Sequence, residues 1–526
     1  MLETIREYGL EMLASCGEAQ AAHQAHAAYY LALAEQAEPE LSGPQQILWF
    51  ERLEREHGNL RAALIWFLEQ GSERQSSELA LRFSGALQRF WAIRGYVSEG
   101  RQWLKRALDE SCGGRSAALA LSFTGCGMLA AIQGDLAQAE ALCGEGLALY
   151  RELGDRRGVA NALSYLGYAA LMRSNYAAAR TLEEDALALF KEVGDTGGRV
   201  FALENLISVL FFQGEYARAQ ALLEESLELC RQGGDIRGYA ASLLLVGIIL
   251  LSEGDLAGAY VRLEESLAVS RKMGYKWNIA TSLHFLGLVA FLRGDVASSR
   301  SLLEESLLRF QEVGDRGSMA QVFFSQGFIS LGQGDYAEAR TLMEQSLEIA
   351  SELERKWDMV SYLEGLAAVV AAQGEPVRAV WFMSSARAGR EAIGTPLQSL
   401  LQAMHEFTMA SVRTQLGEQA FDAAWAEGRT MTPEHILVNL EPLSASKPVL
   451  TTPSSAAVAP LSHTGLTPRE MEVLHLLAQG LTSAQMAEQL VIGLVTVNSH
   501  VRSIYSRLGV TSRAAATRYA LEHHLL

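Results

Sequence analysis

The chain has 526 residues, more than one hydrophobic core can serve, so several domains or a repeat array are expected. A net charge of −17 excludes a broad nucleic-acid-coating surface, and 49% hydrophobic residues with only ten prolines exclude a largely disordered chain. Five widely spaced cysteines without a CxxC pair exclude a disulfide framework and a zinc ribbon, and predict buried, reduced thiols.

The N-terminus, MLETIREYGLEML, is charged and amphipathic, unlike a secretory signal. Residues 1–114 read as helical. Trp49, Phe50, Leu53, Leu60, Ala63, Leu64, Trp66 and Phe67 predict a buried helix pair.

From 115 to 440 the chain repeats and then caps itself with further helices. Gly134-Asp135, Gly214-Glu215, Gly254-Asp255, Gly294-Asp295, Gly334-Asp335 and Gly374-Glu375 share a register of 40 residues, with Ser174-Asn175 in the remaining slot. A second turn keeps the same period at Gly154-Asp155, Gly194-Asp195, Gly234-Asp235, Gly274-Tyr275 and Gly314-Asp315. Two turns per period mean two helices per unit, and stacked helix pairs bury what one pair cannot. Gly127, Gly167, Gly247, Gly287 and Gly327 share a position that predicts close helix approach. Arg94-Gly95-Tyr96 marks a degenerate capping unit before the strict repeats. The recurring LEES runs predict a solvated face, because adjacent glutamates point to different parts of a helix. Ala240 to Leu251, the longest apolar run, is too short to span a bilayer and predicts a buried helix, so no membrane partner is expected.

Residues 441–463 hold four of the ten prolines among Ser, Thr and Ala, the composition of an extended linker. Beyond it, 464–526 reads as four short helices. Thr467-Pro468 starts the first, and Val473, Leu474, Leu476 and Leu477 predict its buried side. In Val495 to Val510, Val497, Val501, Ile504 and Leu508 form one apolar stripe, opposite Asn498, Ser499, Arg502, Ser503 and Ser506. A short helix, a tight turn and a polar-faced helix is a helix-turn-helix arrangement that fits a major groove. From Ser462 on, five Arg face four acids, so the acidic excess lies entirely in the preceding residues.

No nucleophile–base set, HxxxH or HExxH pair, or Gly-Lys dipeptide occurs, so no enzyme activity, metal or cofactor is expected.

Three resemblances follow from these motifs. LTPREMEVLHLLAQGLTSAQMAEQLVIGLVTVNSHVRSIYSRLGV resembles the LuxR-type DNA-binding domain. The G-D/E-Y-x-x-A and LLEESL phrases resemble tetratricopeptide repeats in the longer, 40-residue form of MalT-like regulators. LWFERLEREHGNLRAALIWFLEQG resembles the helical segment that follows the nucleotide-binding and winged-helix parts of signal-transduction ATPases, and that nucleotide-binding motif is missing here.

The fold class expected is therefore all-α: a tetratricopeptide-like α-solenoid followed by a four-helix LuxR-type helix-turn-helix domain. The resemblance places DNA base reading on Asn498, Ser499 and Arg502, backbone contacts on Thr496, His500 and Arg507, and a dimer contact on Tyr519 and Leu521. It implies a cytoplasmic transcriptional regulator that binds double-stranded promoter DNA as a homo-oligomer, with a protein or small-molecule effector on the repeat surface. Two alternatives stand beside it: a repeat scaffold for protein assembly, and a truncated fragment of an NTP-dependent MalT-like regulator.

Overall fold

A computed structural model of the chain describes residues 12–13, 15–70, 74–111, 114–432, 436, 468–478, 485, 486, 489, 501 and 504. Every regular element among them is a helix. The chain divides into two compact units, one of Met1–Phe328 with Tyr336–Asn439, the other of Ile329–Asp335 with Leu440–Leu526.

The first unit is a stack of helix pairs. Its repeats alternate an inner helix, such as α1 (Arg156–Met172) or α2 (Thr196–Phe212), with an outer one, such as α3 (Tyr176–Val193). The Gly-Asp turns build these elements in two steps. Gly154, Gly194, Gly234 and Gly314 close the preceding outer helix in the left-handed region, at φ between 67° and 80°. The following aspartate then caps the inner helix: Asp155 accepts from Gly158 N–H at 2.9 Å, and Asp195 from Gly198 N–H at 2.9 Å. Ser174, in the slot where other units carry glycine, holds φ 61° as a non-glycine residue.

Close approach at the shared glycines is as expected, and each meets a residue sixteen positions on. A Cβ on Gly127 would lie 2.5 Å from Cys143 Sγ, and one on Gly247 would lie 2.7 Å from Leu263. Glu224, Glu225, Glu264 and Glu304 of the LEES runs are exposed. Trp49, Phe50 and Leu53 of α4 (Gln46–Arg55) are buried with Leu60, Ala63, Leu64 and Phe67 of α5 (His57–Glu69). Leu243, Leu244, Ile249 and Leu251 are buried within the helix Ile236–Ser252, and among the described residues no helix is long and apolar enough to cross a membrane. Cys126, Cys143 and Cys230 are buried free thiols, whereas Cys16 is exposed in the turn before the first long helix.

The stack curls until distant units touch. Trp357 N–H donates to Ser174 Oγ at 2.9 Å across 183 residues, about four and a half units of 40. The rings of Phe212 and Trp357 lie 4.7 Å apart beside it, and Arg173 reaches Glu354 at 3.3 Å. At the other end, fully buried Gln46 grips the turn at 234–237. Its Oε1 accepts from Arg237 N–H at 2.9 Å, and its Nε2 donates to Gly234 O and Asp235 Oδ1, each at 3.4 Å.

In the second unit α6 (Pro468–Ala478) buries Val473, Leu474, Leu476 and Leu477, the side expected from sequence. Met486 and Ile504 are also buried and Val501 is half-buried.

Candidate functional site

The chain offers two places for function, one in each unit. In the second, the expected DNA-contacting residues Asn498, Ser499, Arg502, Thr496, His500 and Arg507, and the expected dimer contacts Tyr519 and Leu521, lie outside the described residues. Burial of Ile504 with Val501 half-buried agrees with the apolar stripe behind that face.

The first unit encloses a cavity of about 970 Å³ inside its superhelical turn. Inner helices supply its wall at recurring positions one or two turns apart, so the 40-residue register becomes a ladder of lumenal side chains. Asn161, Tyr165 and Tyr168 come from α1; Phe201, Asn205 and Ser208 from α2. The next unit contributes Leu245 and Ile248, the one after it Phe285 and Leu288. Along these positions the wall passes from polar and aromatic to apolar, and Gln321 and Ser325 of the following unit make it polar again. Tyr165 sits edge-on to Phe201 at 5.8 Å, with Tyr168 6.5 Å from the same ring. Burial raises both phenols above the usual tyrosine range.

Two charged clusters are set into this wall. In the first, Arg237 donates to Glu204 through two N–H···O bonds of 2.8 and 3.1 Å. Enclosure pushes the Glu204 carboxyl up to about 7, with Arg237 offsetting only part of the rise. The guanidinium loses solvation, yet Glu204 and Asp235 hold it above its ordinary range. In the second, Arg355 pairs with Asp358, which accepts from Gln321 Nε2 at 3.2 Å. Asp315 next to them accepts from Trp277 Nε1 at 2.9 Å and from Ser318 Oγ at 2.6 Å. The Tyr362 hydroxyl is buried there and, among the described residues, has no hydrogen-bond partner. His284, fully enclosed, shares a 2.8 Å hydrogen bond with Ser325 Oγ, and burial lowers its pKa to about 4.

Two residues of the cavity wall occupy positions where the repeat carries a capping aspartate. Tyr275 and Arg355 replace that residue, their turns lack a side-chain cap, and both side chains line the lumen instead. The lumenal clusters were not singled out from sequence. Their signal was the break in register itself: a tyrosine and an arginine where Gly-Asp is the rule. Among the described residues, no group of three or more His, Cys, Asp or Glu side chains could hold a metal ion. Paired charges, free phenols and an aromatic wall can bind a molecule by shape and polarity.

Comparison with known proteins bears on both units. Residues 464–520 match the family described as bacterial regulatory proteins, luxR family. Residues 116–192, 199–272 and 278–352 match the tetratricopeptide repeat. A Mycobacterium tuberculosis (strain ATCC 25618 / H37Rv) protein provisionally named HTH-type transcriptional regulator Rv0890c is 33% identical over 175 residues, 32% of this chain and 19% of that protein. The match thus spans about a fifth of that relative's length. The transcriptional regulatory protein LiaR of Bacillus subtilis (strain 168) is 42% identical over 66 residues, 12% of this chain and 31% of that one. Among solved structures, a Rap protein complexed with competence and sporulation factor aligns at 15% identity and a TM-score of 0.44, covering 66% of this chain and 98% of that one. Apo NprR from B. thuringiensis aligns at 13% and 0.40, covering 70% and 97%. Both scores are too low to bear on function.

Proposed function

We propose, from a chain that carries a luxR-family domain behind tetratricopeptide repeats, that it is a DNA-binding transcriptional regulator whose C-terminal module reads promoter DNA and whose solenoid senses an effector. The observation that carries the reading is the match over 464–520, which includes the polar-faced segment from Val495 to Val510.

In this account Asn498, Ser499 and Arg502 face base edges. An amide pairs bidentately with adenine and a guanidinium with guanine, which is how these side chains discriminate sequence. Thr496, His500 and Arg507 hold the phosphate backbone, which fixes register without reading bases. The module's few cations make one copy a weak binder. Linking two or more copies raises effective concentration, so the regulator acts as a homo-oligomer on DNA, with Tyr519 and Leu521 at the contact between copies. The effector binds in the lumen of the first unit, whose size lies at the upper end of small-molecule sites. The protein works in the cytoplasm, without catalysis.

The test is selection of genomic fragments on the full chain, followed by mobility-shift titration. Wild type is expected to retain specific fragments. Arg502→Ala or Asn498→Ala is expected to cost about 1–3 kcal/mol of discrimination at one base position. If no fragment binds above random DNA, the regulator reading is wrong.

A further inference from the structure

Five arginines and seven carboxylates line the lumen, and two of the latter, Asp155 and Asp315, are taken up by helix-capping hydrogen bonds. Of the arginines on its wall, Arg82 pairs with Glu35, Arg157 with Asp195, Arg237 with Glu204 and Arg355 with Asp358. Arg89 differs. Among the described residues it has no carboxylate within 4 Å, and its side chain donates only to Ser42 Oγ. Glu38 is its counterpart. Its carboxylate lines the same cavity and, among the described residues, accepts no hydrogen bond and joins no ion pair.

These two groups share one corner. Both come from the helices Ala19–Glu40 and Arg74–Arg94, which the Arg82–Glu35 pair already ties together. Arg89 stands two turns beyond Arg82, and Glu38 about one turn beyond Glu35. Glu38 feels the charge of Arg89 and of Arg157, yet among the described residues it closes a salt bridge with neither. Tyr165 faces the same corner, its phenol influenced by both Arg89 and Glu38, and among the described residues its hydroxyl has no hydrogen-bond partner. Buried Gln88 Oε1, on the cavity wall beside Arg89, also has no hydrogen-bond partner among the described residues.

An unpaired cation and an unpaired anion held apart in one cavity complement a ligand that carries both charges. An anion alone would leave Glu38 opposing it, and a cation alone would leave Arg89 opposing it. A polyphosphate or other polyanion finds the remaining guanidinium groups already neutralised. We infer that this corner is the head-group site of a small zwitterion, an amino acid or short peptide with a large apolar side chain. Its carboxylate lies on Arg89 and Tyr165, its ammonium on Glu38, and its body runs along Phe201 toward Leu245 and Ile248. The inference rests on the reading of the solenoid as the effector-sensing part, and it names the chemistry of that effector.

Calorimetric titration of the full chain tests it. The probes are L-leucine, L-phenylalanine, L-leucyl-L-phenylalanine and the tetrapeptide Leu-Phe-Leu-Phe, each also as its N-acetyl and C-amide form, with decanoate and glucose as anionic and uncharged controls. At least one free zwitterion is expected to bind, and blocking either end is expected to weaken it by about tenfold or more. Binding of the free amino acids or only of the peptides separates the two sources. Arg89→Gln is expected to make acid and amide bind alike while the effect of N-acetylation persists, and Glu38→Gln to do the reverse. Arg89→Lys is expected to keep part of the preference for the acid, and circular dichroism of each variant checks its fold. Absence of binding by every zwitterion, or equal binding of free and blocked forms, overturns the inference. So does discrimination that survives in well-folded Arg89→Gln and Glu38→Gln. Binding of glucose or decanoate alone, with altered DNA affinity, would overturn it too while leaving the effector-sensing reading standing.

Discussion

Glu183 stands where neighbouring repeats place a buried apolar residue, at Leu223, Leu263 and Leu303. It is fully enclosed, accepting from Ser164 Oγ at 2.7 Å and Asn205 Nδ2 at 2.8 Å. Burial raises its carboxyl well above the usual carboxylate range, and the two hydrogen bonds only partly offset that. A group with a raised folded-state pKa gives stability that is present below its unfolded value and lost as pH rises through its folded one. Glu183→Gln keeps the Asn205 contact and donates to Ser164, so urea midpoints at pH 5 and pH 8 are expected to diverge less in the variant than in wild type. An identical divergence would mean that Glu183 is ionised in the folded chain. His284 works in the opposite direction. Its pKa is depressed to about 4 from 6.5, so the folded form resists the proton that the unfolded chain takes up. About 3 kcal/mol of stability present at pH 7 is expected to disappear as pH falls from 6.5 to 4. His284→Gln should flatten that acid limb, and an unchanged limb would assign it to other groups. None of this was legible beforehand, because burial of a single side chain depends on which helices enclose it.

At the scale of elements the sequence was far more transparent. Helix capping is local, so Gly-Asp pairs announced both turns of each unit, and the shared glycines announced close packing. Two substitutions separate these roles. Gly154 holds φ 71° with nothing within 4 Å of an added Cβ, so Gly154→Ala is expected to cost about 1–2 kcal/mol of backbone strain alone. Gly127→Ala meets Cys143 Sγ at 2.5 Å and Ala139 O at 3.1 Å, and is expected to cost about 1–3 kcal/mol through crowding. Thermal melts with Cys143→Ala added distinguish them, since the smaller side chain should rescue the second and not the first. Rescue of both, or of neither, would assign the glycines differently. The lumenal corner at Arg89 and Glu38 escaped sequence reading for the complementary reason. It lies in the degenerate region before the strict repeats, where no register marks a departure.

The whole molecule adds what neither scale contains. An array coupled only to its neighbours unfolds broadly. Contacts across 183 to 191 residues tie one superhelical turn to the next. Gln46→Ala removes three of those bonds and leaves Arg237 N–H without its acceptor, a loss of about 1–3 kcal/mol. Urea unfolding followed by circular dichroism is expected to be less steep in this variant than in wild type, and equal steepness would mean that the turns unfold independently. No repeat pattern reveals such closure, because the number of units per turn follows from small rotations summed over several helix pairs.

We have proposed that an acidic, effector-sensing solenoid carries a sequence-reading module. Fluorescence anisotropy of the full chain on a fragment selected from the genome, against a scrambled fragment of equal length, tests it most directly. Wild type is expected to prefer the selected fragment by at least about a hundredfold, and Arg502→Ala is expected to bring the two affinities together. Equal affinity of wild type for both fragments, or a preference untouched by Arg502→Ala and Asn498→Ala, would contradict it.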